Sequence, residues 1–446
     1  MRKIAVILSG GKGERFENSL PKQFVKLAGK SVIEYTIDVF NRHKDIDEII
    51  IVSKEDYIDR TWEIVKKNSF FKVEKIISGG IDRFGSTHSA IKALVSEGED
   101  TKVLFHDAVR PLVDEYTITK CLEALDDYNA IDTAIDATDT IIEIDNDACI
   151  VNIPNRAFMK RGQTPQGFRL GTIRLAYQKA IDKNKRTFTC DCGVVKEMLP
   201  NTKIKVIKSS EKNIKITYPI DLHIAEKYIQ MGIEYQLDEI SLENLKDKNI
   251  IIFGNSSGIG AEIEAIAKEY GATVYGCSRS SGVDISKRED IIAFLKDKKD
   301  IDIVINTASI LIKKPLEFLD FERIDEIVNI NYIGAINIAY LVKPLLEKTH
   351  GMLINFASSA YTRGRANYAL YSSSKSAIVN LTQALSDEWD EVNVNCINPE
   401  RTKTPMREKN FGYEPPETLL ESSVVAKKSL KLALSNLSGI ILDVKR

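Results

Sequence analysis

The chain of 446 residues has no excess of charge of either sign. Its 62 lysines and arginines stand against 64 aspartates and glutamates, a formal net charge of -2. That balance leaves no electrostatic footprint for nucleic acid. Long apolar runs are absent too, and a stretch such as Ile4–Leu8 falls far short of the roughly 20 residues that cross a bilayer. Behind Met1-Arg2-Lys3 this run has a faint likeness to a secretory signal, but Gly10-Gly11-Lys12-Gly13-Glu14-Arg15 ends it at once. The six cysteines lack the regular spacing of a disulfide framework, and neither Cys190, Cys192 nor the five histidines form a zinc-ligand pattern. The absences point to a soluble, cytosolic protein with no nucleic-acid or membrane partner. What is present is ordinary for a globular chain: 43% hydrophobic and 28% charged residues. At about 100–200 residues per domain, the length predicts two or three domains.

One architectural event occurs twice. Lys3–Leu8 is an apolar strand running straight into Ser9-Gly10-Gly11-Lys12-Gly13, and Asn249–Phe253 runs in the same way into Gly254-Asn255-Ser256-Ser257-Gly258-Ile259-Gly260. A buried strand that breaks into a glycine-rich turn is how an α/β sheet presents a phosphate-binding loop. Further strands are expected at Ile49–Val52, Val103–Phe105, Thr273–Cys277, Asp302–Asn306, Met352–Phe356 and Asn393–Ile397. Helical patterns cover Ser31–Phe40, Thr117–Leu125, Ala261–Tyr270, Glu322–Leu346 and Ser373–Trp389. Such alternation favours mostly parallel sheets with covered faces. The expected architecture is α/β with two domains: a nucleotidyltransferase-type sheet over 1–235, a polar linker over 236–247 and a Rossmann-fold parallel sheet over 248–446. The Lys- and Asp-rich run Lys296–Asp300 is expected to be a solvated loop.

The first loop is not a P-loop, because no Gly-Lys-Ser/Thr follows at the required spacing. Taken alone, it suits a structural bend as well as a phosphate cradle. Arg15 and Lys22 beside it favour the cradle, since fixed cations stabilise the charge that builds on the non-bridging oxygens during displacement at a phosphate. Further along come Ser78-Gly79-Gly80-Ile81-Asp82-Arg83 with Ser86, Phe105-His106-Asp107-Ala108-Val109-Arg110-Pro111, Gly162-Gln163-Thr164-Pro165-Gln166-Gly167-Phe168 and Lys215-Ile216-Thr217-Tyr218-Pro219-Ile220-Asp221-Leu222.

These strings, in this order, resemble the sugar- and polyol-phosphate cytidylyltransferases over residues 1–230. The resemblance implies that backbone amides of Leu8, Ser9, Gly10 and Gly11, and the segment from Gly80 through Arg83 to Ser86, bind CTP, with Ser86 near the cytosine. It implies that Arg15 and Lys22 stabilise the pentacoordinate transition state, and that Arg156 and Lys215 hold the acceptor phosphate in line with the α-phosphorus. Thr140 is carried over as a substrate contact. Asp107 would meet Mg²⁺ or the ribose, or else be a structural turn residue. His106 is expected to pack, since a phosphate nucleophile is already ionised and needs no base. Asp132-Thr133-Ala134-Ile135, Thr138-Asp139-Thr140-Ile141 and Asp191-Cys192 look more like the ribitol branch of the family than the methylerythritol branch.

The second loop would be weak evidence without catalytic residues downstream. Tyr371 and Lys375 stand four apart, on one face of a helix, Ser358 lies thirteen residues before the tyrosine, and Asn331 sits in Val328-Asn329-Ile330-Asn331-Tyr332-Ile333-Gly334. With Asn306-Thr307-Ala308-Ser309 and the closing Ser438–Val444, residues 247–446 resemble the short-chain dehydrogenase/reductases. The resemblance implies that Tyr371 donates a proton to a carbonyl oxygen, Lys375 lowers the tyrosine pKa, Ser358 hydrogen-bonds the same oxygen and Asn331 holds a relay water. Gly254, Ser256, Gly258, Ile259, Gly260, Arg279, Asp284, Asn306 and Thr404 would hold the cofactor. Arg279 follows the second strand where NAD-specific sites carry an acid, which points to NADP(H). Phe253 and Glu400 depart from the family's usual Thr and Gly, which puts the substrate wall in doubt. Arg363, Arg365 and Arg401 fall near that wall, as phosphate ligands or as plain surface arginines.

Together these expectations describe a bifunctional enzyme that reduces D-ribulose 5-phosphate to D-ribitol 5-phosphate and joins it to CTP, giving CDP-ribitol for capsule or wall polymers. A methylerythritol-phosphate cytidylyltransferase fused to an unrelated reductase, and a reductase half that only senses NADP, are the alternatives. Both families usually form homo-oligomers, and the same is expected here.

Overall fold

A computed structural model describes residues 1–11 and 20–446, apart from the side chains of Glu234 and Tyr235. Arg15 therefore lies outside the described residues. Contacts divide the chain into two compact units, Met1–Glu226 and Lys227–Arg446. The helix Pro219–Asp238 carries the chain across that division. Residues 236–247, expected as a polar linker, contain the end of this helix and a 3-10 turn, Leu242–Leu245, whose two leucines are buried. No helix among the described residues is long and apolar enough to cross a membrane.

The first unit is built on an eight-stranded sheet. Its centre is Lys3–Leu8, flanked in parallel by Glu48–Ser53 and Lys102–Asp107, with Val73–Ser78 outside Glu48–Ser53. These central strands are continuous apolar runs because both faces are covered; Ile4, Ala5, Val6 and Ile7 are fully buried. Beyond Lys102–Asp107 the sheet becomes mixed. Gln166–Arg169 inserts antiparallel, and Ala130–Asp136 follows it and pairs in turn with Lys160–Gly162 and Ile204–Lys208. Helices cover both faces. Val32–Arg42 opens with the Ser31 N–H donating to the Glu34 carboxylate, and Arg83–Ala93 opens with the Asp82 carboxylate accepting from the Gly85 N–H at 2.7 Å. A separate hairpin, Glu143–Ile144 with Ile150–Asn152, is exposed along its length.

The second unit is a six-stranded, wholly parallel sheet. Its order is Thr273–Cys277, Asn249–Phe253, Ile303–Asn306, Met352–Phe356, Asn393–Pro399, Ile441–Val444. The strand order reverses between Asn249–Phe253 and Ile303–Asn306, where doubly wound sheets open a ligand crevice. The long helical pattern expected over Glu322–Leu346 is two α-helices, Phe321–Val328 and Gly334–Leu346, joined by a π turn at Asn329–Ile333. Such turns frequently mark functional positions. Lys296–Asp300 follows the helix Arg288–Leu295 and is largely exposed, as a solvated loop should be.

Candidate active sites

In the first unit, the carboxyl ends of the parallel strands bring three loops together. The Ser9 N–H donates to the Val52 carbonyl at 2.7 Å, the Gly79 N–H to Ser53 at 2.7 Å, and the Ala108 N–H to Leu8 at 3.0 Å. Gly80 passes so close to Gly85 that an added Cβ would lie 2.5 Å from its backbone, so no larger residue fits. Ser86, 5% exposed, sits against Gly10 and Gly79, which places it beside the first loop. Among the described residues, Ser9 Oγ and Arg83 Nε are buried without a hydrogen-bond partner. Buried polar atoms of this kind are expected where a polar ligand completes the site.

Asp107 is the electrostatic centre. Its carboxylate meets Arg83 at 2.5 Å, Lys215 at 3.0 Å and Arg110 at 3.6 Å. Burial alone would raise its pKa, but these three cations outweigh burial and hold the carboxyl well below the usual carboxylate range. Arg83 bridges onward to Asp191 at 2.9 Å, and Asp191 accepts from the Tyr177 hydroxyl at 2.7 Å. Lys22 approaches from the other side, donating to the Ile216 carbonyl at 2.8 Å beside Lys215. Gln23, its neighbour, donates to the Ser9 carbonyl at 2.9 Å and so ties this turn to the first loop.

His106 is fully buried between Thr164, 3.0 Å from its Nδ1, and the Arg110 carbonyl, 3.1 Å from its Nε2. Burial pushes its pKa down to about 4, so the ring is a neutral strut rather than a base. Arg156 and Thr140 lie elsewhere, on the exposed segment around the hairpin. Arg156 donates to the Thr138 carbonyl at 2.9 Å and has no hydrogen bond or ion pair to the Asp107 cluster among the described residues.

In the second unit, a cavity of about 770 Å³ opens at the point where strand order reverses. Gly254, Ser256, Gly258, Ile259, Gly260, Arg279, Asp284, Ser358, Tyr371, Lys375 and Thr404 all line it. A Cβ on Gly260 would lie 2.3 Å from the Gly254 carbonyl oxygen, which is why the turn into the helix Gly258–Glu269 needs glycine there. Arg279 is half exposed and pairs with Glu326 at 3.0 Å. Asn306 stands one layer back, accepting from the Ala308 N–H at 3.2 Å.

Tyr371 and Lys375 project from the helix Ala369–Glu388. Lys375 is 4% exposed and donates to the Phe356 carbonyl at 2.8 Å, with its nitrogen 5.5 Å from the Tyr371 ring centre. Burial pushes Lys375 down to about 8 and Tyr371 up to about 12, the latter against a hydrogen bond from Ser358 that lowers it. The lowering of the tyrosine pKa expected from Lys375 is not seen in this geometry, where Lys375 is not among the groups acting on the phenol. Desolvation dominates, and the ammonium is turned to a backbone carbonyl instead of the phenol oxygen. A protonated phenol is the form a proton donor needs. Asn331, 2% exposed, accepts from Ser309 Oγ at 2.9 Å and the Ile310 N–H at 2.8 Å and donates to the Ile310 carbonyl at 2.8 Å. It pins the cavity loop, and one amide N–H stays unassigned among the described residues.

Residues 3–231 match the 2-C-methyl-D-erythritol 4-phosphate cytidylyltransferase family, and residues 281–414 match the short chain dehydrogenase family. A Haemophilus influenzae protein, bifunctional ribulose 5-phosphate reductase/CDP-ribitol pyrophosphorylase Bcs1, is 46% identical over 99% of this chain and 96% of its own length. The chain belongs to this bifunctional family. It is an enzyme that joins a cytidylyltransferase to a short-chain dehydrogenase. A Thermobifida fusca 2-C-methyl-D-erythritol 4-phosphate cytidylyltransferase is 36% identical over 52% of the chain and 95% of its own length. The crystal structure of the Anaerococcus prevotii 4-diphosphocytidyl-2C-methyl-D-erythritol synthase is 32% identical, with a TM-score of 0.47, covering 51% of this chain and 96% of that one.

Of the residues expected from sequence, the first unit gathers Ser9, Gly10, Gly80, Arg83, Ser86, Asp107, Lys22 and Lys215 near the carboxyl ends of its parallel strands. Arg110, Tyr177 and Asp191 were not expected there. Asp191 stood out only as part of a string, and its bond to Arg83 spans 108 residues of sequence, so no local pattern announces it. In the second unit the cofactor loop lies outside the 281–414 match, and its placement rests on the geometry around Gly254 and Gly260. Glu400 lines the cavity and is not among the residues with left-handed backbone, so this position does not require the family's glycine.

Proposed function

We propose that residues 248–446 reduce D-ribulose 5-phosphate to D-ribitol 5-phosphate with NADPH, and that residues 1–235 couple this product with CTP to give CDP-ribitol and pyrophosphate. The observation that carries the reading is the presence of both sites in one chain, in the arrangement of a relative matched over 96% of its length and named for these two activities. The product of one site is the acceptor of the other, which gives the fusion a chemical reason.

At the reductase site the nicotinamide supplies hydride to the carbonyl carbon. Tyr371, held protonated by burial, gives its proton to the oxygen; Ser358 steadies that oxygen, and Lys375 returns a proton to the phenol. Arg279, at the end of Thr273–Cys277, favours the 2′-phosphate of NADP(H), with Asp284 on the adenine side. Asn331 braces the Ser309–Ile310 loop from behind.

At the transferase site the loop of Leu8, Ser9, Gly10 and Gly11, whose Ser9 N–H is fixed by the Val52 carbonyl, and the Gly80–Ser86 turn cradle CTP. Lys22, with Arg15, offsets charge at the α-phosphorus, and Lys215 holds the acceptor phosphate in line for attack while pyrophosphate leaves. Arg156 and Thr140 join the acceptor side from the exposed segment. The described residues contain no cluster of three metal-ligating side chains, so Mg²⁺ fits only as an ion carried by the nucleotide's phosphates, with Asp107 offering an oxygen. We place the enzyme in the cytoplasm, as a homo-oligomer serving capsule or wall polymer synthesis. The uncovered aliphatic side chains of the hairpin, Ile144, Ile150 and Val151 among them, support self-association.

The first unit's likeness to methylerythritol-phosphate cytidylyltransferases keeps a second acceptor in view. Pyrophosphate release with CTP and each polyol phosphate separates the two. Ribitol 5-phosphate should give the higher kcat/KM, and a preference for 2-C-methyl-D-erythritol 4-phosphate would reject the reading.

A further inference from the structure

The reductase cavity also carries a group of charged and aromatic side chains to which no role has yet been given. Arg365 enters the cavity from the segment before Tyr371, and Arg401, Arg407, Phe411 and Glu414 enter from the segment after Asn393–Pro399. Arg407 presents Nε and Nη2 as a fork to the two oxygens of Glu414, at 2.6 and 2.8 Å. Its guanidinium lies 4.4 Å above the Phe411 ring, and the Lys313 ammonium lies 4.7 Å from the same ring. Hydrogen bonding to Arg407 holds the Glu414 carboxyl below its ordinary range, with the charges of Arg401 and Lys313 adding to the effect.

This corner is close to the chemistry. The Phe411 and Tyr368 rings meet edge to face at 5.8 Å, Tyr368 meets Tyr371 at 6.3 Å, and the Arg407 charge acts on the Tyr371 phenol. Arg365, Arg401 and Arg407 line the cavity together with Glu400 and Glu414, and Lys313 adds its charge at the Phe411 ring, so this group carries an excess of two positive charges. A guanidinium fork receives a carboxylate or a phosphate with the same two parallel bonds.

We propose that Arg407, flanked by Arg401, is the subsite for the terminal phosphate of the sugar reduced at Tyr371, and that Glu414 occupies the fork as an internal anion until the phosphate displaces it. The inference rests on the reading that this unit reduces a sugar phosphate. It also separates Arg365 and Arg401, which line the cavity, from Arg363, which does not.

The test measures NADPH oxidation by the full-length enzyme with D-ribulose 5-phosphate and with D-ribulose, and inhibition by inorganic phosphate. Arg407→Ala should lower the ratio of the two kcat/KM values by about tenfold or more, the loss of a charged fork. Arg407→Lys, which keeps the charge but not the fork, carries the same test if the alanine variant fails to fold. Unchanged NADPH affinity certifies the fold of either. Glu414→Gln should make inorganic phosphate a tighter competitor, an effect that a loop staple alone would not produce. An unmodified enzyme that reduces neither sugar would remove the reading and the proposal with it. An unmodified enzyme that prefers the phosphorylated sugar, with folded Arg407 variants that keep the full ratio, overturns the proposal and leaves the reading standing.

Discussion

Lys22 and Lys375 are both proposed for reaction centres, yet their surroundings suit them to different tasks. Lys22 is half-buried, anchored to the Ile216 carbonyl beside Lys215, and supplies fixed positive charge next to the first loop. Replacing it with alanine should raise the barrier to cytidylyl transfer by about 2–4 kcal/mol, the cost of one electrostatic stabiliser. CTP should still bind, since the loop amides remain; turnover within about a factor of two of the unmodified enzyme would refute the role. Lys375 is deeply buried, and desolvation brings its pKa to about 8 while the Tyr371 phenol is raised to about 12. The lysine is then the first of the pair to lose its proton as pH rises. NADPH oxidation should be full below pH 7 and decline through an apparent pKa near 8, and Lys375→Arg should move that limb upward. A rate that stays flat to pH 10 would show that the lysine's charge is not needed.

At the scale of elements, what was legible in the sequence depended on burial. Lys3–Leu8, Asn249–Phe253 and Met352–Phe356 carry the expected bounds because each is buried almost throughout and reads as one compact run. Ile204–Lys208 mixes two lysines with three aliphatic residues on a largely exposed strand, and Gln166–Arg169 is short and begins with a buried glutamine that binds Asp132. Neither shows itself without its neighbours. The same contrast holds in the sites. Glycine loops and the Tyr371–Lys375 pair are local patterns, whereas Asp191 and Arg407 acquire meaning only from contacts that folding creates. Arg279 belongs to the legible class, since it stands two residues after the edge strand ends. Replacing it with aspartate puts an acid where the 2′-phosphate would lie, so the preference for NADPH over NADH should disappear or reverse. Steady-state kcat/KM values for the two coenzymes decide this, and equal use of both by the unmodified enzyme would contradict it.

Across the whole molecule, two units each carry their own sheet, glycine loop and proposed reactive set, so the proposed activities are expected to be chemically independent and serial. The most direct measurement follows ribulose 5-phosphate, NADPH, CTP and Mg²⁺ incubated with the enzyme, reading CDP-ribitol and ribitol 5-phosphate by mass. The unmodified enzyme should form CDP-ribitol. Tyr371→Phe should stop at ribulose 5-phosphate yet still convert supplied ribitol 5-phosphate, and Lys22→Ala should accumulate ribitol 5-phosphate. Absence of CDP-ribitol from the unmodified enzyme, or loss of both activities in a folded Tyr371→Phe variant, would contradict the account.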